Sequence, residues 1–101
     1  MDLQQMMKQA QQMQERLQRE LGDLRLEASA GGGMVNVTVN GHKQLLEIKI
    51  DPEVASQGDL EMLQDLIVAA MADAHRKVDE AVAQKMGGLM GGLGGLKLPG
   101  M

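Results

Sequence analysis

Leu3, Met6, Ala10, Met13, Leu17, Leu21 and Leu24 recur at helical spacing through the first 24 residues, set among seven glutamines with few other apolar side chains. Leu3, Ala10, Leu17 and Leu24 stand seven apart with Met6 and Met13 between them, which is a heptad seam. Glu20 occupies the next seam position and Leu21 takes over, a drift from a 3.5 to a 3.6 period that predicts about three heptads of coiled-coil-like packing. The spacing predicts a helix from Leu3 to about Asp23, weakened at its end by Gly22. Such a helix is about 32 Å long, whereas strands of about seven residues span only about 23 Å. The stripe outruns what the rest of the chain can cover and calls for a partner.

The period then changes to two: Leu26 and Ala28, next Val35, Val37 and Val39, then Leu46, Ile48 and Ile50 alternate with polar residues. Three strands follow. Asn40-Gly41 between apolar runs predicts a type I′ hairpin turn, with Val39 opposite His42, Val37 opposite Gln44 and Val35 opposite Leu46. Gly31-Gly32-Gly33 joins the first two strands; it leads into a strand and not a helix, so it reads as a hairpin loop and not a phosphate cradle. Asp51-Pro52 ends the third strand and opens a short helical segment that breaks at Gln57-Gly58. With Asp59 as N-cap, a second long helix presents Leu60, Leu63, Ile67, Ala70, Met71, Ala74, Val78, Ala81 and Val82 on one face and runs to about Met86. Gly-Gly-Leu units fill residues 87–101, which read as a flexible tail. The elements run helix, three strands, short helical segment and long helix, and residues 1–86 hold them in a single domain.

Composition narrows the chemistry. There is no Cys, which removes disulfides and thiolate metal sites and suits the cytoplasm. No apolar run is long enough for a membrane span and no secretory leader is evident. Aromatic residues are absent, which removes the stacking platforms of most single-strand binders. The net charge of -4 leaves only a local basic patch to attract a polyanion. Lys8, Arg16 and Arg19 fall within about 100° on the first helical wheel and form such an edge, diluted by Glu15 and Glu20. The second helix carries Asp59, Glu61, Asp65 and Asp73 first and Arg76, Lys77 and Lys85 later, an order that the macrodipole alone favours.

Catalytic candidates are few. His42 and His75 lack further ligands at metal-site spacing, and Asp73 and His75 lie on different sides of a helix. Ser29 and Ser56 lack a nucleophile elbow, and neither a P-loop nor a dinucleotide fingerprint occurs. The residues therefore point to an interaction protein with no enzymatic activity, cofactor, metal or small-molecule substrate. Two readings of the partner stay open at this point: a nucleic-acid binder using the basic edges, or a protein–protein adaptor using the apolar stripe and the Gly/Leu-rich tail.

Met7-Lys8-Gln9-Ala10-Gln11-Gln12-Met13-Gln14, then Gly32-Gly33-Met34-Val35-Asn36-Val37-Thr38-Val39-Asn40-Gly41, Ile50-Asp51-Pro52, Leu63-Gln64-Asp65-Leu66-Ile67, Ala72-Asp73-Ala74 and Lys85-Met86 occur in one order along nearly the whole chain. That ordered set resembles the YbaB/EbfC family of nucleoid-associated proteins. The resemblance implies an α+β fold, an α-β-β-β-α subunit with a three-stranded antiparallel sheet and two long helices, and a homodimer with a joined sheet core and projecting helices, tweezer-like in shape. It also implies binding to double-stranded DNA with effects on its conformation, and roles in nucleoid organisation and gene regulation. Carried onto this chain, it places DNA contacts at Lys8, Arg16 and Arg19 on the first helix and Arg76, Lys77 and Lys85 on the second. Leu3, Met6, Ala10, Met13 and Leu17 are expected to form the seam between helices.

Overall fold

In the computed structural model, which describes residues 2–91, helix α1 (Leu3–Asp23) leads into strands β1 (Leu26–Ala30), β2 (Val35–Val39) and β3 (Leu45–Ile50). A short helix α2 (Pro52–Ser56) and a long helix α3 (Leu60–Gly91) follow. The strands form one antiparallel sheet in the order β1-β2-β3. Hairpins connect neighbours in sequence, so no crossover is needed.

An aspartate caps each helix start, Asp59 as the sequence suggests and Asp2 and Asp51 as the structure adds. The Asp2 carboxylate accepts from the Gln4 amide at 3.2 Å, Asp51 from Glu53 at 2.9 Å and Asp59 from Met62 at 3.0 Å. These bonds satisfy amides that the first helical turn leaves without partners. Pro52 takes the first turn of α2, where its missing N–H costs nothing. Gly58, with φ 71, reverses the chain before α3.

The core lies between α3 and the inner face of β1 and β2. Ala70, Ala74 and Val78 of α3 are buried against Ala28, Val35, Val37 and Val39, with Leu63, Leu66, Ile67, Met71 and Val82 around them. Alanine at two successive turns lets the helix approach the sheet closely, and the β-branched valines fill the pleats. Gly31 has a φ of 66, and a Cβ there would stand 2.8 Å from a Leu66 methyl, so both the backbone and α3 require glycine. Leu60, read as part of the core-facing row, is instead 69% exposed because it stands in the first turn, beyond the sheet.

Three sequence expectations are corrected. The β2–β3 pairing is Val35 with Ile50, Val37 with Ile48 and Val39 with Leu45, four residues away from the partners expected from a two-residue turn, except at Leu45, where the register shifts. An even displacement keeps apolar residues on the same face, which is why alternation alone does not detect it. The turn is not type I′ either: the positive φ falls on Lys43, at 64, and not on Asn40 or Gly41. Asn40 closes a longer loop instead, its Oδ1 accepting from the His42 and Gln44 amides at 2.9 and 3.1 Å and its Nδ2 donating to Gln44 Oε1 at 2.7 Å. Lastly, α3 does not stop at Met86 but continues through Gly87 and Gly88 to Gly91. Glycine costs about 1 kcal/mol per helical position relative to alanine without abolishing the hydrogen-bond ladder. The rest of the expected flexible tail, residues 92–101, lies outside the described residues.

Candidate nucleic-acid interface

Helix α1 meets the body only at its last turn. Leu21 is its one buried residue, and the Gly41 amide donates to the Leu21 carbonyl at 2.7 Å. A Cβ on Gly41 would lie 2.7 Å from that carbonyl oxygen and 2.9 Å from Leu21 Cα. Glycine is therefore demanded there by close approach. His42 Nε2 lies 3.1 Å from the Gln18 carbonyl, and Lys85 reaches Glu20 at 3.5 Å. Arg25 closes the helix end by donating to the Gly22 and Leu24 carbonyls at 2.8 and 3.1 Å, where the helix dipole favours a cation. From this joint α1 projects into solvent as an arm of a molecule with extents of 65 × 32 × 15 Å.

The arm carries both features read from the sequence. Leu3, Met6, Met7 and Met13 are half or more exposed, Ala10 is exposed, and Leu17 is half-buried nearer the joint. Lys8, Arg16 and Arg19 are exposed, and among the described residues none of them pairs with a carboxylate. Arg25 at the root is likewise without a carboxylate partner, a cation that sequence reasoning passed over. Its signal was its place directly after the last apolar residue of the stripe.

The bases of α3 are differently placed. Arg76 bonds Asp73 at 2.7 Å and Glu80 at 2.6 Å. Lys77 lies 3.6 Å from Asp73 and donates to the Glu27 carbonyl at 2.8 Å, and Lys85 faces Glu20. The Arg76 hydrogen bonds hold the Asp73 carboxyl below its ordinary range against the opposing effect of desolvation, and the Arg76 guanidinium is raised in turn, chiefly by its bond to Asp73. The sequence lists of bases on the two helices thus separate into a free set and a compensated one.

The other concave surface of note is polar. A polar cleft of about 450 Å³ on the outward sheet face is lined by Glu27, Ser29, Asn36, Thr38, Glu47, Lys49, Asp73 and Lys77 among others. Its Glu47 and Asp73 are already paired with Lys49 and with Arg76 and Lys77. Among the described residues no three His, Asp or Glu side chains converge as metal ligands, and no helix is long and apolar enough to cross a membrane. His42 contacts the α1 joint, whereas His75 is half-buried on α3 with its Nε2 buried and without a hydrogen-bond partner.

A three-stranded antiparallel sheet backed by one long helix, with a second helix held out as a basic, apolar-striped arm, defines an α+β protein of the binding-module class. The chain belongs to the YbaB/EbfC DNA-binding family, whose model matches residues 1–93. It is 52% identical to a nucleoid-associated protein of Koribacter versatilis, over 98% of this chain and 95% of that one. A nucleoid-associated protein of Rhodococcus opacus is 46% identical over 99% and 91% of the two chains. The crystal structure of the uncharacterized protein HP0035 from Helicobacter pylori superimposes with a TM-score of 0.64 at 25% identity, covering 80% of this chain and 94% of that one.

Proposed function

We propose that this protein is a nucleoid-associated, non-enzymatic binder of double-stranded DNA that acts as a homodimer and changes the conformation of the duplex, organising the nucleoid and regulating genes there. The observation that carries the reading is the sorting of cations: those without a carboxylate partner among the described residues, Lys8, Arg16, Arg19 and Arg25, all belong to the projecting arm and its root. A free, exposed cation displaces condensed counterions on meeting a phosphate, whereas a compensated one must first give up its carboxylate. The arm bases are therefore the principal contacts, and Arg76, Lys77 and Lys85 have a smaller share. Contacts of this kind position the protein on the duplex without reading bases directly.

The homodimer is supported by the edge of the sheet. Helix α3 covers β1 and β2 but not β3, so Leu45, Leu46, Ile48 and Ile50 are 46, 45, 38 and 36% exposed. An apolar edge strand without proline invites pairing, and β3 against β3 of a second copy across a two-fold axis would join the sheets and cover this strip. Each arm then occurs twice. Fluorescence anisotropy with a duplex tests the function: reversing Lys8 and Arg16 to Glu abolishes most of the affinity for all sequences alike. Undiminished binding by that variant would overturn the assignment.

A further inference from the structure

Among the described residues, Leu3, Met6, Ala10 and Met13 of the α1 stripe have no cover, because the arm leaves the body at Leu21. We propose that this stripe is a second self-association surface, on which α1 of one dimer pairs antiparallel with α1 of another and links the two dimers. The proposal rests on β3 as the dimer seam.

Charge and side-chain size favour a second copy in this orientation. Asp2, Gln9 and Arg16 flank one side of the seam, and Met7 and Gln14 flank the other. An antiparallel pair centred near Lys8 sets Leu3 against Met13 of the second copy and Met6 against its Ala10, with the same contacts repeated by symmetry. Long flexible methionine thus meets small alanine. The same register brings Asp2 beside Arg16 of the second copy, twice. A parallel pair brings Asp2 beside Met7 and Arg16 beside Leu21, which makes no ion pair and uses a leucine already buried at the joint. In the antiparallel pair Lys8 and Arg19 stay on the outer positions, free for phosphate, and the two roots point away from each other. A protein linked in this way holds two duplex-binding dimers together.

Cysteine cross-linking of the full chain tests the register, since no native cysteine interferes. A mixture of Met6→Cys and Ala10→Cys chains under mild oxidation is expected to yield linked pairs several-fold above either variant alone. Arg16→Gln, which removes both ion pairs, weakens assembly by about threefold. Efficient linking of Met6→Cys with itself indicates a parallel pair and overturns the proposal. So does linking of Met6→Cys to Met86→Cys on α3, or the absence of any linking above background. Repeating the experiment with Ile48→Lys separates the two seams: the linked assembly falls from four or more chains to two if β3 forms the dimer. If its size does not change, the β3 reading fails while the arm pairing stands. Substitutions on the arm do not touch the buried core, and circular dichroism checks that the fold persists.

Discussion

Asp73 holds two cations at once, Arg76 at 2.7 Å and Lys77 at 3.6 Å, and its replacement separates stability from binding. These groups are solvent-exposed, so the pairs add little to stability. Asp73→Asn is expected to leave the urea midpoint nearly unchanged while tightening duplex binding severalfold at low salt, because a negative charge is lost and two bases are released. Since the folded-state pKa of Asp73 is depressed, chiefly by its Arg76 hydrogen bonds, its contribution is present above the unfolded carboxylate pKa. It is lost as pH falls through the folded value, an acid window that leaves neutral pH unaffected. Gly41 is the opposite kind of residue. Gly41→Ala drives a Cβ into the backbone of Leu21, and about 1–3 kcal/mol of lost stability, read by urea denaturation, is expected. The sequence marks Asn40-Gly41 as a turn for a reason that does not hold. What the positions need is the Asn40 carboxamide closing the loop and room for α1 against Gly41, and both are contacts with residues that turn propensity does not consider.

Among the elements, α1 and β3 are the two that the chain leaves unfinished. Reversing Lys8 and Arg16 is expected to weaken duplex binding about equally for all sequences while sedimentation still reports the dimer, since neither residue touches the body. Ile48→Lys is expected to do the converse, removing the β3 seam so that sedimentation reports only chains paired through an intact arm. Helix α3 was legible in the row Ala70, Ala74 and Val78, because a 3.6-residue period survives any choice of partner. Strand β3 was legible as a strand, yet its exposure was not. Leu46, Ile48 and Ile50 read as the apolar face of a strand, and it is the position of α3 over β1 and β2 that leaves them uncovered.

At the scale of the whole molecule, the net charge of -4 and the binding of a polyanion are reconciled by where the charges are neutralised. Carboxylates pair with the cations of the body and of α3, while the arm keeps its bases free. In a dimer whose arms are not paired with another copy, three free bases on each arm make about six phosphate contacts, so the logarithm of affinity should fall with the logarithm of salt at a slope of about −5. An anisotropy titration series in salt reads that slope, and a flat response would show that phosphate contacts are not the source of affinity.

The sequence by itself determined the elements, their order and the face that α3 turns to β1 and β2, because local periodicity acts within a few residues. It also placed Lys8, Arg16 and Arg19 on one exposed edge and the apolar stripe beside them. Only the tertiary structure decided the β2–β3 partners, the single joint at which α1 leaves the body, and which bases are compensated. The reason is physical: a register displaced by an even number of residues, a backbone contact from Gly41 to Leu21, and ion pairs such as that of Lys85 with Glu20 join residues far apart in the chain. No repeat along the chain encodes such distances.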